Sequence, residues 1–510
     1  MKSADIVFGA ALAIGAAAPG YSETPLSAID WLSDSIRQPP AAAQAAPAGV
    51  ATNAAPETVS VSQIGGPSAD ALGLLPASVS GLAPDLWAHS SASSIADRLR
   101  SDRSDLLPAM QDLFYLLLLA ELEPPADSGA EPELLLARID TLLALGALDQ
   151  AAALVEIAGS PAPELFRRAF DISLLLGTED KTCGILRDTP AISPTFPARI
   201  FCLARGGDWA GAALSLDTGR ALGYVTEEED ALLVHFLELG LDDADAPLTI
   251  PIRPSPLEFR MYEAIGRPLP TTSLPRAFAH TDLHRTSGWK SQIEAAERLA
   301  RSGAIDANRL LVLYTERKPA ASGGVWDRAA AIQALDAALL AGDTVVLSLA
   351  LEQAWAAMKS VELEMPFARA YCDRLGGRVL GSAANDLRFS ICMLSGVRNG
   401  RLVPPANPSA QQEFMLALHS GDLPATRPSD PLEAAIHLGL SRTGMPVRLQ
   451  SLMQENREGE AILRAIDLFV NGASGDFDEL ADALTFFRAV GLEDTARNGA
   501  IQLLLLERMG

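Results

Sequence analysis

Few side chains in this chain have the types and spacing that chemistry requires. His280 and His284 stand four apart with Asp282 between them. On a helix, that spacing would turn two imidazoles toward one metal ion. The glutamate of a metallopeptidase helix is missing, and no third ligand stands in register, so the pair reads as two surface histidines in a loop. Lys318 followed by Ser322-Gly323-Gly324 has the composition of a phosphate loop. A phosphate loop, however, follows a strand and ends in glycine-lysine-serine or -threonine at a helix start. Here the lysine comes first and no strand precedes it, so the segment reads as a helix-to-helix turn with Trp326 docked in the core. The chain has no GxSxG elbow and no dinucleotide fingerprint. It is therefore read as a non-enzyme that needs no cofactor or metal.

Four cysteines remain. Cys183 and Cys202 are 19 positions apart, and Cys372 and Cys392 are 20 apart. An even count in an exported chain favours disulfides over four reduced, buried thiols. Each bridge would close a loop of about 20 residues and stabilise by ~3 kcal/mol in the chain-entropy account. The spacing is wrong for a zinc knuckle.

Export is read from the first segment, residues 1–22. Lys2 gives a positive start, and Ile6 to Ala18 is apolar and alanine-rich. Gly20 and Ser22 could serve as the small residues before cleavage at Glu23, the grammar of a secretory signal peptide. Asp5 and Pro19 depart from that grammar. The apolar run is about 13 residues, short of the ~20 that span a bilayer. No later stretch is long and apolar enough to do so, so no integral membrane segment is expected after cleavage. These features together place the protein in the periplasm.

Composition limits the partners. The 510 residues carry 40 basic and 64 acidic groups, a net charge of −24. Nucleic acid repels such a surface, because affinity for it comes largely from neutralising phosphates. No cluster of lysine and arginine marks an anionic lipid patch.

The elements that would position any site are helices. Residues 23–37 hold Leu26, Ile29, Trp31 and Leu32 at amphipathic spacing, and these four are the candidate partner-binding residues. Residues 38–80 are rich in alanine, proline, glycine and serine and read as a disordered linker. The Pro39–Pro56 tract shares composition with antifreeze glycopeptide repeats, but not their period. Deletion of Glu23 to Ser80 is expected to leave folding intact. Helical patterns then fill residues 81–247, a proline-rich irregular connection occupies 248–288, and more helices fill 289–510. Leu248 to Ile252 is the one short β-like run.

A small motif recurs at the breaks. Gly146-Ala-Leu-Asp149, Gly207-Asp208-Trp209, Gly303-Ala-Ile-Asp306, Gly342-Asp343, Gly421-Asp422, Gly475-Asp476 and Gly491-Leu-Glu-Asp494 share it. Glycine ends one helix in a left-handed cap, and aspartate caps the next. The pattern resembles the punctuation of tetratricopeptide-like repeats over Glu131 to Gly510, without the consensus tryptophan, tyrosine and proline positions and with an irregular period. That resemblance implies an all-α, helical-hairpin solenoid whose concave groove takes a protein or peptide of the cell envelope. The chain is also similar to a group of alphaproteobacterial secreted proteins of no assigned activity, through Ser255-Pro-Leu-Glu-Phe259, Trp289 to Glu297 and Ser322 to Arg328. As a second reading, an envelope helical superhelix resembles that of soluble lytic transglycosylases, which act on peptidoglycan. Glu316 and Glu362 lack the glutamate-serine context of that catalytic acid.

Overall fold

The computed structural model describes residues 68–506 apart from 102, 104, 160–161, 238–247, 397–401 and 424–426. The segment carrying Leu26, Ile29, Trp31 and Leu32, and the signal-like segment before it, lie outside the described residues. Within them, 24 α-helices and three short 3-10 turns follow one another, and no strand forms. Residues 248–252, the β-like run, have no regular structure.

The helices are, in order, α1 Ala77–Ser80, α2 Ala92–Arg100, α3 Pro108–Leu119, α4 Glu133–Leu145, α5 Leu148–Ala158, α6 Pro163–Leu176, α7 Glu179–Asp188 and α8 Phe196–Arg205. They continue with α9 Trp209–Leu222, α10 Glu227–Leu237, α11 Pro256–Ala264, α12 Ala279–Asp282, α13 Trp289–Arg301, α14 Ala307–Glu316, α15 Val325–Ala341 and α16 Thr344–Lys359. The last are α17 Glu364–Leu375, α18 Ser382–Leu394, α19 Ala410–Ser420, α20 Pro431–Ser441, α21 Val447–Gln454, α22 Glu458–Ala473, α23 Phe477–Ala489 and α24 Glu493–Leu505.

Local sequence explains most of the boundaries. At the α15–α16 turn, Gly342 has φ 75°, a conformation that costs residues with a Cβ about 1–2 kcal/mol. Asp343 then accepts hydrogen bonds from the backbone N–H groups of Val345 and Val346, both 2.9 Å. Asp208, Asp306 and Asp476 cap α9, α14 and α23 in the same way. The motif does not hold everywhere. Asp149 and Asp494 lie inside the first turns of α5 and α24, whose caps make no side-chain bond. The helix after Asp422 is α20, and its cap is Asp430.

Most consecutive helices pack on one another, as in a helical-hairpin array. The array is nonetheless not an open solenoid, in which each repeat touches only its neighbours. Helix α2 packs on α22, and α3 packs on α24. Leu86 O accepts from Gly459 N, Ser94 Oγ donates to Glu460 at 2.8 Å, and Arg103 reaches Asp467 at 2.8 Å. Gln502 Oε1 accepts from Ala109 N, 393 positions away. Helix α3 is apolar nearly all round (PAMQDLFYLLLL), the pattern of a helix enclosed by others. It is enclosed here: Tyr115 donates to Ser302 O at the end of α13, and Asp112 pairs with Arg369 of α17. Helix α3 thus joins the end of the array, α24, to α4, α13 and α17.

Two cores result. The large one runs from Leu82 to Leu506. A smaller one, formed by α6 to α11, gathers Phe166, Phe170, Leu174, Phe201, Phe236 and Met261. Helix α6 serves both, with Leu165, Ile172 and Leu175 turned to the large core.

Two boundaries differ from those expected. Residues 68–80, read as the end of a linker, are packed. Asp70 is 2% exposed and accepts from Leu135 N and Ser128 Oγ, both at 2.8 Å. Leu72 O takes a bond from the buried guanidinium of Arg138, which also donates to Leu118 O and Ala120 O. Small and polar residues suit this close backbone contact, so composition alone misread it. The stretch 248–288 contains α11, entered through a capping box in which Ser255 and Glu258 each bond the other's backbone N–H. Serine with glutamate three residues on and proline at the first helical position was a legible helix start.

Candidate functional site

The sequence candidates come out as follows. His280 is 3% exposed and its Nε2 lies 2.7 Å from Gly146 O, so it ties α12 to the α4–α5 turn. Burial pushes its pKa down, favouring a neutral ring that donates to the carbonyl. His284 is half-buried beside Gly177, and its Nε2 has no partner. Neither is therefore a surface histidine, and among the described residues no group of side chains is placed to hold a metal. In the turn before α15, the N–H of Gly323 donates to Asp327 Oδ1 at 2.9 Å. A carboxylate already occupies that position, and Trp326 packs on Trp289 at 5.1 Å between ring centres.

The cysteines pair as expected, Cys183 with Cys202 and Cys372 with Cys392, each pair with Cα atoms 5.0 Å apart. The first bridge joins α7 to α8 and the second joins α17 to α18. No helix among the described residues is long and apolar enough to cross a membrane.

A polar cleft of about 370 Å3 opens in the large core. It opens where the start of α3 meets the α13–α14 turn and the entry to α17. Gln111, Gln150, Asp306, Asn308, Glu362 and Arg369 line it. Three helical hairpins therefore contribute to one wall, which periodicity could not reveal. Gln150 Oε1 is buried and has no partner, an unusual state for an amide oxygen. Arg369, paired with Asp112, stands at the rim.

Glu362 is the unusual residue of this cleft. It is exposed, and its φ is 57°. Apart from Asn456, it is the only non-glycine residue at positive φ among the described residues. The position closes α16, where Glu362 N donates to Lys359 O and Leu363 N to Met358 O. Glycine is the usual occupant of such a cap, because a side chain there costs roughly 1 kcal/mol. Strain of this kind gathers at functional sites. The cleft holds amides that can both donate and accept, together with charges of both signs. Such a lining suits the backbone and polar side chains of a peptide.

The chain matches no protein-family model, no curated protein and no solved structure.

Proposed function

We propose that the protein is a non-catalytic adaptor of the periplasm that takes a segment of a partner protein in the polar cleft beside α3. The observation that carries this reading is Glu362, a carboxylate held in the left-handed conformation at the cleft mouth where glycine would be more stable. The unpartnered Gln150 Oε1 adds an acceptor for a peptide N–H. The enclosed α3 directs the partner to this cleft rather than to a long groove. Two buried disulfides support an oxidising compartment, and the signal-like start supports export.

Two measurements test the reading. Intact mass of protein purified from the periplasm should lack the first ~22 residues, as signal removal requires, with four thiols alkylated only after reduction. A full-length chain with free thiols would remove the envelope from the reading. A photo-crosslinking residue at the exposed Asn308 should form a discrete protein adduct in the periplasm, and one at the exposed Val447 of α21 should not. Equal or absent adducts at the two positions would defeat the adaptor reading.

A further inference from the structure

A second cavity, about 390 Å3, opens in the small core among α7, α8, α9, α10 and α11. That volume lies in the lower part of the ~300–1,000 Å3 range of small-molecule sites. Its walls differ in kind. One wall is aromatic: Trp209, the first residue of α9, lies 6.4 Å from Phe236, which stacks on Phe201 at 5.4 Å. The Trp209 side chain is 47% exposed. A surface indole against a cavity is informative in a way that a lone exposed leucine is not.

The other wall is a charged array fixed by one buried carboxylate. Glu179 is 1% exposed; its Oε1 accepts from Arg260 Nη2 at 3.1 Å and is ion-paired with Arg205 Nη2 at 3.2 Å. Glu179 Oε2 has no partner. Arg205 Nε donates to Asp180 at 2.9 Å, and Arg260 also pairs with Glu263. Each guanidinium is therefore held in place, and each keeps N–H groups beyond those its carboxylates use.

The charge balance selects the ligand. Glu179, Asp180 and Glu263 outnumber Arg205 and Arg260 by one, so an anion gains nothing here. A cation on the indole would face two guanidiniums. A neutral molecule meets neither objection. It needs an apolar face for Trp209 and groups that both donate and accept, since the array offers N–H donors beside carboxylate acceptors. A pyranose ring has both: C–H bonds on one face and hydroxyls around its rim.

We propose that this pocket binds a neutral saccharide, one ring stacking on Trp209 while its hydroxyls meet the array of Glu179, Arg205 and Arg260. The site lies on other helices than the α3 cleft, and its test is independent of the adaptor reading.

The test is calorimetric titration of the full chain with the tetramers of β-1,4-linked N-acetylglucosamine, of cellulose and of amylose, with acetate and choline as charged probes. At least one tetrasaccharide should bind saturably at millimolar concentration or below. Trp209→Ala should weaken that binding at least about tenfold with unchanged melting, because the indole is half-exposed. Arg205→Gln should weaken it less, with a lowered melting temperature because the buried Glu179 loses one of its two guanidiniums. Co-sedimentation with purified sacculi separates the two sources of such a ligand. Sedimentation lost in the Trp209 variant assigns the wall glycan, and binding of free sugar without sedimentation assigns a soluble oligosaccharide. Absence of binding by all three sugars, binding unchanged in both variants, or preference for acetate or choline would overturn the proposal.

Discussion

The closure of the large core and the small α6–α11 core hold their buried carboxylates in opposite ways. Glu460, at the closure, has a side chain with no exposure. Burial pushes its pKa up, but hydrogen bonds from Arg457 and Ser94 outweigh this and hold it down at about 2. Asp171 on α6 is also buried, beside Arg167 and Arg168. Burial dominates there, and its pKa is pushed up to about 7. The contrast shows that burial does not decide the charge of a carboxyl group; the donors delivered to it do. At the closure Ser94 and Arg98 reach Glu460 from more than 360 positions away, and Arg457 from three. In the small core, close sequence neighbours supply the surroundings.

The largest expected effect comes from breaking the closure. Glu460→Ala leaves the guanidiniums of Arg98 and Arg457 without their shared carboxylate. Unpairing a buried ion costs ~3–5 kcal/mol, and because both arginines are about a third exposed, about 3 kcal/mol is expected here. Urea titration measures it. A loss under about 1 kcal/mol would show that the ends of the array are only loosely joined. The same closure predicts truncation behaviour. Deleting the residues before Ser68 should leave the melt unchanged, whereas deletion through Ser80 removes Asp70 and the Leu72 carbonyl and should lower it clearly. This reverses the expectation from composition.

The disulfides sharpen the comparison next. Serine replacement of Cys183 and Cys202 should cost ~3 kcal/mol by loop entropy, confined to the small core. The same change at Cys372 and Cys392 should cost as much but lower the main transition, since α17 and α18 belong to the large core. Hydrogen exchange can separate the two responses. Identical exchange patterns would merge the two cores into one cooperative unit.

The pH responses should run in opposite directions. The folded-state pKa of Glu460 is depressed, so its contribution is full above the unfolded carboxyl value near 4 and is lost as pH falls through about 2. The folded-state pKa of Asp171 is raised, so its contribution is full below about 4 and is lost as pH rises through about 7. Asp171→Asn should therefore flatten the decline in stability of the small core between pH 4 and 8, by at most about 4 kcal/mol for a shift of roughly three units. A decline unchanged by the substitution would remove Asp171 as its source. The smallest effect is at the cleft. Glu362→Gly should raise stability by up to ~1 kcal/mol through relief of the left-handed strain, and should reduce the Asn308 adduct if the carboxylate serves the partner.

Much of the fold was legible because helix signals are local. Glycine and aspartate at the breaks, the apolar stripes and the two cysteine pairs each act within a few turns of chain, so one sequence suffices to read them. Helix α11 hid in a proline-rich stretch, Pro251, Pro254, Pro256, Pro268 and Pro270, whose composition favours irregular chain although Ser255 and Glu258 mark a helix start. The sites were not legible. Trp209, Glu179 and Arg260 line one cavity only because α7, α9 and α11 come together, and no spacing rule joins positions 179, 209 and 260. The cleft at Gln111, Asn308 and Glu362 has the same cause. By itself, the sequence determined an acidic, all-helical chain with two local cysteine pairs, because propensity, capping and charge act over short distances. Only the tertiary structure decided that the array closes, that α3 packs on α24 and which polar groups share a cavity, because those outcomes depend on packing between residues far apart in sequence.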